Sequence, residues 1–362
     1  MTEVEVFLAS KADEWKNDLV ERNPHGSPYH LWEWGETLSL TYGYQKCYLT
    51  AAHNDDVVGL FPLVHIMSRI FGNRLISLPF CGYGGPLADP SLGDQEKELV
   101  IEALLDATEK LAKALRVKYV ECRNPSPEVV RESTISKGYC NIRRYVTFRV
   151  NLTMKQEELW RNLRKNTRNA IRKATKSGVK TKHFERGEEL ESYYRLYLQT
   201  QKRHGTPPHN YTIFEALQNA FGAKDKIKMS LAEYQGKPIA GVVMLHYNKT
   251  IFWWNNVTET KHRSLNPTNL LLWKTIEWGV ENGYHALDLG RTRRGTTVHR
   301  FKSGWGGRER YLRDYVYFLN SEEKELPDPL QRKYRYLSML WFLMPTRLAE
   351  KIGSRIRGDT GL

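Results

Sequence analysis

Hydrophobic and polar positions repeat one pattern twice along this chain. Leu49-Thr-Ala-Ala-His-Asn-Asp-Asp-Val-Val-Gly-Leu-Phe-Pro-Leu63 holds two β-rich runs joined by a polar turn. Leu231-Ala-Glu-Tyr-Gln-Gly-Lys-Pro-Ile-Ala-Gly-Val-Val-Met-Leu245 has the same shape, with Gly59 and Gly241 in register. Both predict hairpins. Each is followed by an apolar stripe at helical spacing, Leu99 to Leu115 and Asn269 to Val280,. Each stripe leads into a short strand ending in an acid and an arginine, Tyr119-Val-Glu-Cys-Arg123 and Ala286-Leu-Asp-Leu-Gly-Arg291. A duplicated α/β fold accounts for this order, because each sheet needs a helix to cover a face. The predicted boundary falls near Val150, giving a first domain over 1–150, a second over 151–320, and a basic, apolar helical tail over 321–362.

Length agrees, since 362 residues exceed what one core usually supports,. No run approaches the ~18 apolar residues of a membrane span. The start, MTEVEVFLASKADEW, lacks the basic and apolar regions of a signal peptide,. Both features predict a cytoplasmic protein. Cys47, Cys81, Cys122 and Cys140 are dispersed without a CxxC pair, so they read as buried, reduced thiols rather than zinc ligands or a disulfide framework,.

Charge separates the halves. Residues 1–150 carry 17 Lys+Arg against 20 Asp+Glu, whereas residues 151–362 carry 38 against 21. Such asymmetry points to a polyanionic partner of the second half, or to a basic surface kept for solubility. The segment Glu157 to Gly178 predicts one helix, with Leu159, Leu163, Ala170, Ile171 and Ala174 on its apolar stripe and Gly178 as its C-cap,. Arg161, Arg164, Lys165, Arg168, Arg172, Lys173 and Lys176 cover its other faces. Like charges at i,i+4 destabilise a helix, so the cations are either solvated or offset by a bound polyanion. The run Tyr336 to Pro345 and the basic Arg347 to Arg357 either pack across their own domain or lie in an anionic lipid interface at the inner membrane face,.

Common catalytic signatures are absent: GxxxxGK[ST], GxSxG, HExxH and metal-ligand spacing among the histidines. The loop Cys81-Gly-Tyr-Gly-Gly-Pro86 is either a phosphate-binding turn or a plain tight one,. The densest chemistry lies in Leu287-Asp-Leu-Gly-Arg-Thr-Arg-Arg-Gly-Thr-Thr-Val-His-Arg-Phe-Lys-Ser-Gly-Trp-Gly-Gly307. Glycines permit close backbone approach to a ligand, and Arg291, Arg293, Arg294, Arg300 and Lys302 can hold phosphate or carboxylate. Transfer of an acyl group from an ester or thioester to an amine needs an oxyanion stabiliser and a proton route, without a protein nucleophile. Asp288, His299 and Glu121 are the candidate proton acceptors. Asp288 reads equally as a partner of Arg291, and His299 as a structural residue.

The chain resembles the FemA/FemB/FemX peptidoglycan-bridge aminoacyltransferases and their relatives with tandem acetyltransferase-like (GNAT) domains. The resemblance rests on Arg164-Lys-Asn-Thr-Arg-Asn-Ala-Ile-Arg-Lys-Ala174, Asn266-Pro-Thr-Asn-Leu-Leu-Leu-Trp273, Leu287-Asp-Leu-Gly-Arg291 and Phe301-Lys-Ser-Gly-Trp-Gly306, and extends over most of residues 25–320. It implies two tandem GNAT-like (acyl-CoA N-acyltransferase-like) domains related by duplication. It further implies aminoacyl transfer from charged tRNA to an amine of a phosphorylated or lipid-linked envelope precursor, with neither metal nor cofactor. By the same resemblance Lys302 stabilises the tetrahedral oxyanion, Phe301 supplies main-chain contact, and Arg203 holds acceptor phosphates. Asn266 joins the substrate-binding set. The helical-hairpin arm of some members has no counterpart here. An acyl-CoA donor is the alternative, although Phe301-Lys-Ser-Gly-Trp-Gly306 has Phe where the pyrophosphate motif has Gln or Arg. A non-catalytic polyanion or membrane-surface binder is the second alternative.

Overall fold

A computed structural model describes residues 4–123, 137–319, 326, 341–342 and 344–361. The chain divides into two compact units, the first comprising Met1–Arg144, Leu312–Pro327 and Gly358–Leu362, the second Tyr145–Tyr311 and Asp328–Arg357.

In the first unit β1 (Glu5–Leu8), β2 (Gln45–His53), β3 (Asp56–Ser68) and β4 (Gly72–Ile76) form an antiparallel ladder. A two-residue strand, β5 (Leu87–Ala88), pairs with β3 off this path. Then β6 (Tyr119–Cys122) lies parallel to β4, through Leu75↔Val120. The segment Tyr315–Phe318 closes the order, antiparallel to β6. Asn54 and Asp55, at φ 49° and 67°, make the two-residue turn between β2 and β3. Positive φ at both positions is the type I′ signature, whose twist matches the strands. Short helices α1 (Ala12–Trp15) and α2 (Asn17–Arg22) and the longer α3 (Trp32–Tyr42) precede β2. The 21-residue α4 (Asp94–Ala114) buries Val100, Ile101, Leu104 and Leu105 against Leu63, Leu75 and Val120. Burying each such side chain contributes roughly 1.5–3 kcal/mol.

The second unit repeats the pattern. After β7 (Cys140–Asn151) come α5 (Gln156–Asn162), α6 (Lys165–Lys176), β8 (Lys180–Phe184), α7 (Glu188–His204) and α8 (Tyr211–Gly222). Next, β9 (Ile227–Tyr234), β10 (Lys237–Tyr247) and β11 (Thr250–Thr258) extend the antiparallel ladder from β8. Then α9 (Pro267–Glu281) crosses the sheet, and β12 (Ala286–Asp288) lies parallel to β11 and antiparallel to β7. Last come α10 (Thr297–Lys302), β13 (Arg308–Phe318) and α11 (Thr346–Thr360). Leu271, Leu272 and Ile276 of α9 pack on Ala240, Val242 and Met244 of β10. Four antiparallel strands, a helix and a parallel strand therefore occur in each unit.

Three expectations change, and one open alternative is decided. The hairpins match one residue out of register: their turns are Asn54-Asp55 and Gln235-Gly236, and past equivalent bulges Ala51 faces Gly59 whereas Ala232 faces Ala240. Gly59 therefore corresponds to Ala240, and the two glycines look to opposite faces. A Cβ on Gly59 would stand 2.3 Å from Val100 of α4, and one on Gly241 2.6 Å from Tyr193 of α7. The basic segment is two helices, broken where Leu163 turns extended to reach the core and Arg164 donates its N–H to the Gly304 carbonyl at 3.0 Å. Gly178 does close α6, at φ 81°. Cys47, Cys81 and Cys122 are buried, but Cys140 is exposed, because it opens β7 ahead of the part that enters the core. In the glycine-rich loop, the Cys81 Sγ lies within hydrogen-bond reach of both the Leu78 and Tyr83 carbonyls, to one of which its S–H donates, and a Cβ on Gly84 would meet the Ser77 carbonyl at 3.1 Å. That loop is a packed turn.

Of the C-terminal run, Tyr336 to Leu340 lies outside the described residues. In α11, a Cβ on Gly353 would meet Pro208 at 2.4 Å, so the helix packs on its own unit, while Leu348 and Ile352 stay exposed. Among the described residues no helix is long and apolar enough to cross a membrane. Nor do any three His, Cys, Asp or Glu side chains among them group to hold a metal ion.

Candidate active site

The site is built where β12 ends. Its three residues are held on both sides, Ile251↔Leu287 from β11 and Leu287↔Val150 from β7. Past Asp288 the chain keeps bonding to β7, with Leu289 N–H to the Phe148 carbonyl at 3.0 Å and a reciprocal Val146–Thr292 pair at 2.8 Å. Between these anchors it must turn, and Gly290 does so at φ 72°. A Cβ there would lie 3.2 Å from the Trp253 carbonyl, so both the conformation and the space require glycine,. The Asp288 side chain fixes the turn. Its Oδ1 accepts from the Gly290 N–H at 2.7 Å and from the Thr147 hydroxyl at 2.7 Å,.

Thr296 starts α10, its hydroxyl accepting the His299 N–H at 3.1 Å,. Six residues later Lys302, 9% exposed, points back to the turn. Its Nζ donates to the Gly290 carbonyl at 2.9 Å and the Arg291 carbonyl at 3.2 Å. Burial lowers its pKa to about 8, and the Asp288 charge opposes that fall,. A buried ammonium held by neutral carbonyls near a carboxylate stays largely protonated at neutral pH. It keeps one N–H for a ligand, and this is the electrostatic element that an acyl-transfer oxyanion requires.

The following segment is clamped. Phe301 packs on the unit's core with its ring 5.9 Å from buried Trp305. A Cβ on Gly304 would meet Thr167 of α6 at 2.6 Å. The N-terminus of the basic helix α6 is thereby tied to the stretch that carries Lys302. Arg161, Arg164, Lys165, Arg172, Lys173 and Lys176 are exposed and make no ion pair among the described residues.

The residues predicted from sequence separate into groups. Asp288, Arg291, Phe301 and Lys302 share the closed 288–305 stretch. Arg291 and Arg293 stack on Tyr145, 4.0 Å and 5.3 Å from its ring centre. Arg300 is exposed. His299 lies between Phe148 and Glu309, its Nε2 3.1 Å from the carboxylate. Arg203 closes α7 and donates to the Thr258 carbonyl at 3.0 Å and the Thr260 hydroxyl at 3.2 Å, which anchors the far end of β11. Asn266 opens α9 from a left-handed conformation at φ 55°. Arg203 and Asn266 thus flank the β11–α9 connection rather than the Gly290 turn. Glu121 belongs to the first unit, where it pairs with Arg123 at 2.9 Å. Phe301-Lys-Ser-Gly-Trp-Gly306 spans a helix C-terminus and a 3₁₀ turn, so its backbone N–H groups do not form the helix-start cradle of a pyrophosphate motif,. Tyr145 and Thr147 were not foreseen. Both lie on β7, and only its pairing with β12 brings them to the site.

Residues 161–311 match the acetyltransferase (GNAT) domain family. No curated protein matches the chain by sequence. Among solved structures, FemX is similar at 14% identity over 88% of this chain and 98% of its own, with a TM-score of 0.68. A tandem GNAT protein from the clavulanic acid biosynthesis pathway is 12% identical over 88% and 99%, at 0.55. The C-terminal domain of a candidate lysylphosphatidylglycerol synthetase from Agrobacterium fabrum is 12% identical over 84% and 90%, also at 0.55. The chain is thus an acyltransferase of the GNAT fold, with its GNAT domain over residues 161–311 and an architecture like that of FemX and the tandem GNAT proteins.

Proposed function

We propose that this acyltransferase moves an aminoacyl group from aminoacyl-tRNA to an amine of a phosphorylated or lipid-linked cell-envelope precursor. The observation that carries the reading is the Lys302 ammonium, buried and oriented by the Gly290 and Arg291 carbonyls. In the reaction the acceptor amine attacks the ester carbonyl, and Lys302 donates its remaining N–H to the oxyanion that forms. The C–N bond is kept, the C–O bond breaks, and the proton shed by the amine ends on the departing ribose hydroxyl. Asp288 acts as a positioning residue, since its Oδ1 is engaged by the turn and its charge sustains the Lys302 ammonium. Arg291 and Arg293 bind substrate at the mouth of the turn, and Arg203 and Asn266 serve the acceptor. The unpaired cations of α6, joined to the Lys302 segment through Arg164 and Gly304, suit the phosphates of a tRNA,. Similarity to a candidate lysylphosphatidylglycerol synthetase, named for an aminoacylated lipid, supports an envelope acceptor.

An acyl-CoA donor is the second reading, favoured by the match of residues 161–311 to an acetyltransferase domain. The test is binding of charged and stripped tRNA across a salt series, beside acetyl-CoA binding. A preference for charged tRNA that weakens with salt and is largely kept in Lys302→Met supports the first reading. Absence of tRNA binding at moderate salt together with saturable acetyl-CoA binding supports the second.

A further inference from the structure

At the opposite edge of the second unit's sheet from β12 and β7, the face beneath α9 stops being apolar. On β10 that face carries Ala240, Val242 and Met244, all buried. Their cross-strand partners on β9 continue it with Ser230 opposite Val242 and Lys228 opposite Met244. On the edge strand β8, His183 stands opposite Ser230. A sheet face packed under a helix ordinarily continues its hydrophobic alternation, so hydroxyl, imidazole and ammonium groups here need another occupant. Between this face and α9 lies a cavity of about 200 Å³, floored by Met244 and Leu271 and walled by Trp278.

Its polar groups share one tendency. The Lys228 ammonium lies 4.6 Å over the Trp278 ring and makes no ion pair among the described residues. The nearby Glu277 carboxylate is committed elsewhere, to Lys274 at 2.7 Å and Gln156 at 2.9 Å. Ser230 holds the His183 Nδ1 at 2.7 Å and so fixes the ring at the cavity's edge. Burial, reinforced by Lys228, keeps that imidazole neutral at pH 7. With Lys274 paired to Glu277, one cation without an ion pair, one neutral imidazole and an aromatic wall suit a single negative charge on an apolar body,. Exposed Glu281 also lines the cavity and disfavours multiply charged anions.

We propose that this cavity binds a small organic monocarboxylate with a flat apolar body, its carboxylate on Lys228 and its body against Trp278, Met244 and Leu271. The site is separate from the Gly290 turn, and the proposal stands whichever acyl donor the enzyme uses. The test is a ligand-detected NMR titration of the full chain with benzoate, beside benzamide and inorganic phosphate. Benzoate should bind saturably, and at least tenfold more tightly than benzamide or phosphate. Lys228→Met should weaken benzoate tenfold or more while leaving the unfolding midpoint within the wild-type range. Thr181→Trp, which fills the cavity from the edge strand, should abolish the signal. Equal binding of benzamide would make the cavity merely apolar, and stronger phosphate binding would make it an anion site. Either result, an unchanged affinity in Lys228→Met, or no benzoate binding at all overturns the proposal.

Discussion

Asp288 and Lys302 engage the same residue from opposite sides. The carboxylate accepts the Gly290 N–H at 2.7 Å and the ammonium donates to the Gly290 carbonyl at 2.9 Å. One glycine residue, through the peptide groups on its two sides, thus closes a loop between an acid at a strand end and an ammonium at a helix end. The arrangement explains how a lysine tolerates burial. Its charge is solvated by two carbonyls and balanced by a carboxylate at the other end of the loop. It also means that anything disturbing Gly290 should disturb Lys302.

Replacing Lys302 with Met should therefore lower turnover by roughly 10²–10³, the usual cost of removing one oxyanion donor. Donor affinity should change only a few-fold, since a transition-state contact weighs on kcat more than on binding. Steady-state kinetics with saturating donor make the comparison. A proportional loss of donor affinity instead would place Lys302 in ground-state binding.

The Lys302 pKa near 8 fixes the direction of two pH effects. If the ammonium is the working form, kcat should fall as pH rises through about 8. Asp288→Asn keeps an oxygen for Gly290 and Thr147 but removes the charge that holds the pKa up, so the falling limb should move to lower pH. Stability runs the other way. The folded pKa lies below the ordinary lysine value of 10.5, so the unfolded chain binds more protons between about pH 8 and 10.5 and stability rises across that window,. The rise is on the order of 3 kcal/mol, and Lys302→Met should abolish it. Urea titrations at pH 7.5 and 9.5 would show the rise in stability, and a pH–rate profile the falling limb of kcat.

Gly290→Ala should destabilise the second unit by about 1–3 kcal/mol, from a left-handed backbone and a Cβ 3.2 Å from the Trp253 carbonyl,. Activity should drop further than stability, because the carbonyl that orients Lys302 moves. A variant as active as wild type once folded would separate Gly290 from the chemistry.

How much was legible follows from which contacts are local. Hairpins, helices and strand ends were visible at their own periods, since each repeats within a dozen residues. The glycine register misled because matching Gly59 to Gly241 ignores where each chain turns, at Asn54-Asp55 and one position earlier at Gln235-Gly236. Lys302 stood out among glycines and arginines close in sequence. Thr147 and Tyr145 did not, because 141 residues separate Thr147 from Asp288 and a strand pairing alone brings them together. The break at Leu163 was hidden for the same reason, since the next residue, Arg164, bonds the distant Gly304.

The register correction is itself testable. Gly59 and Gly241 face different helices, so a methyl on each should clash with a different partner. Gly59→Ala places a Cβ 2.3 Å from Val100, and Gly241→Ala one 2.6 Å from Tyr193. Overpacking of this kind costs about 1–3 kcal/mol. Val100→Ala should partly rescue Gly59→Ala, with a coupling above about 0.5 kcal/mol, and leave Gly241→Ala unchanged. Tyr193→Phe should not rescue Gly241→Ala, because the clash is with the ring edge rather than the hydroxyl, which bonds Asn255 at 2.9 Å. Thermal unfolding of the double-mutant cycles decides the matter. Absence of coupling between Gly59→Ala and Val100→Ala would mean that Gly59 does not look toward α4, and the register correction would fail.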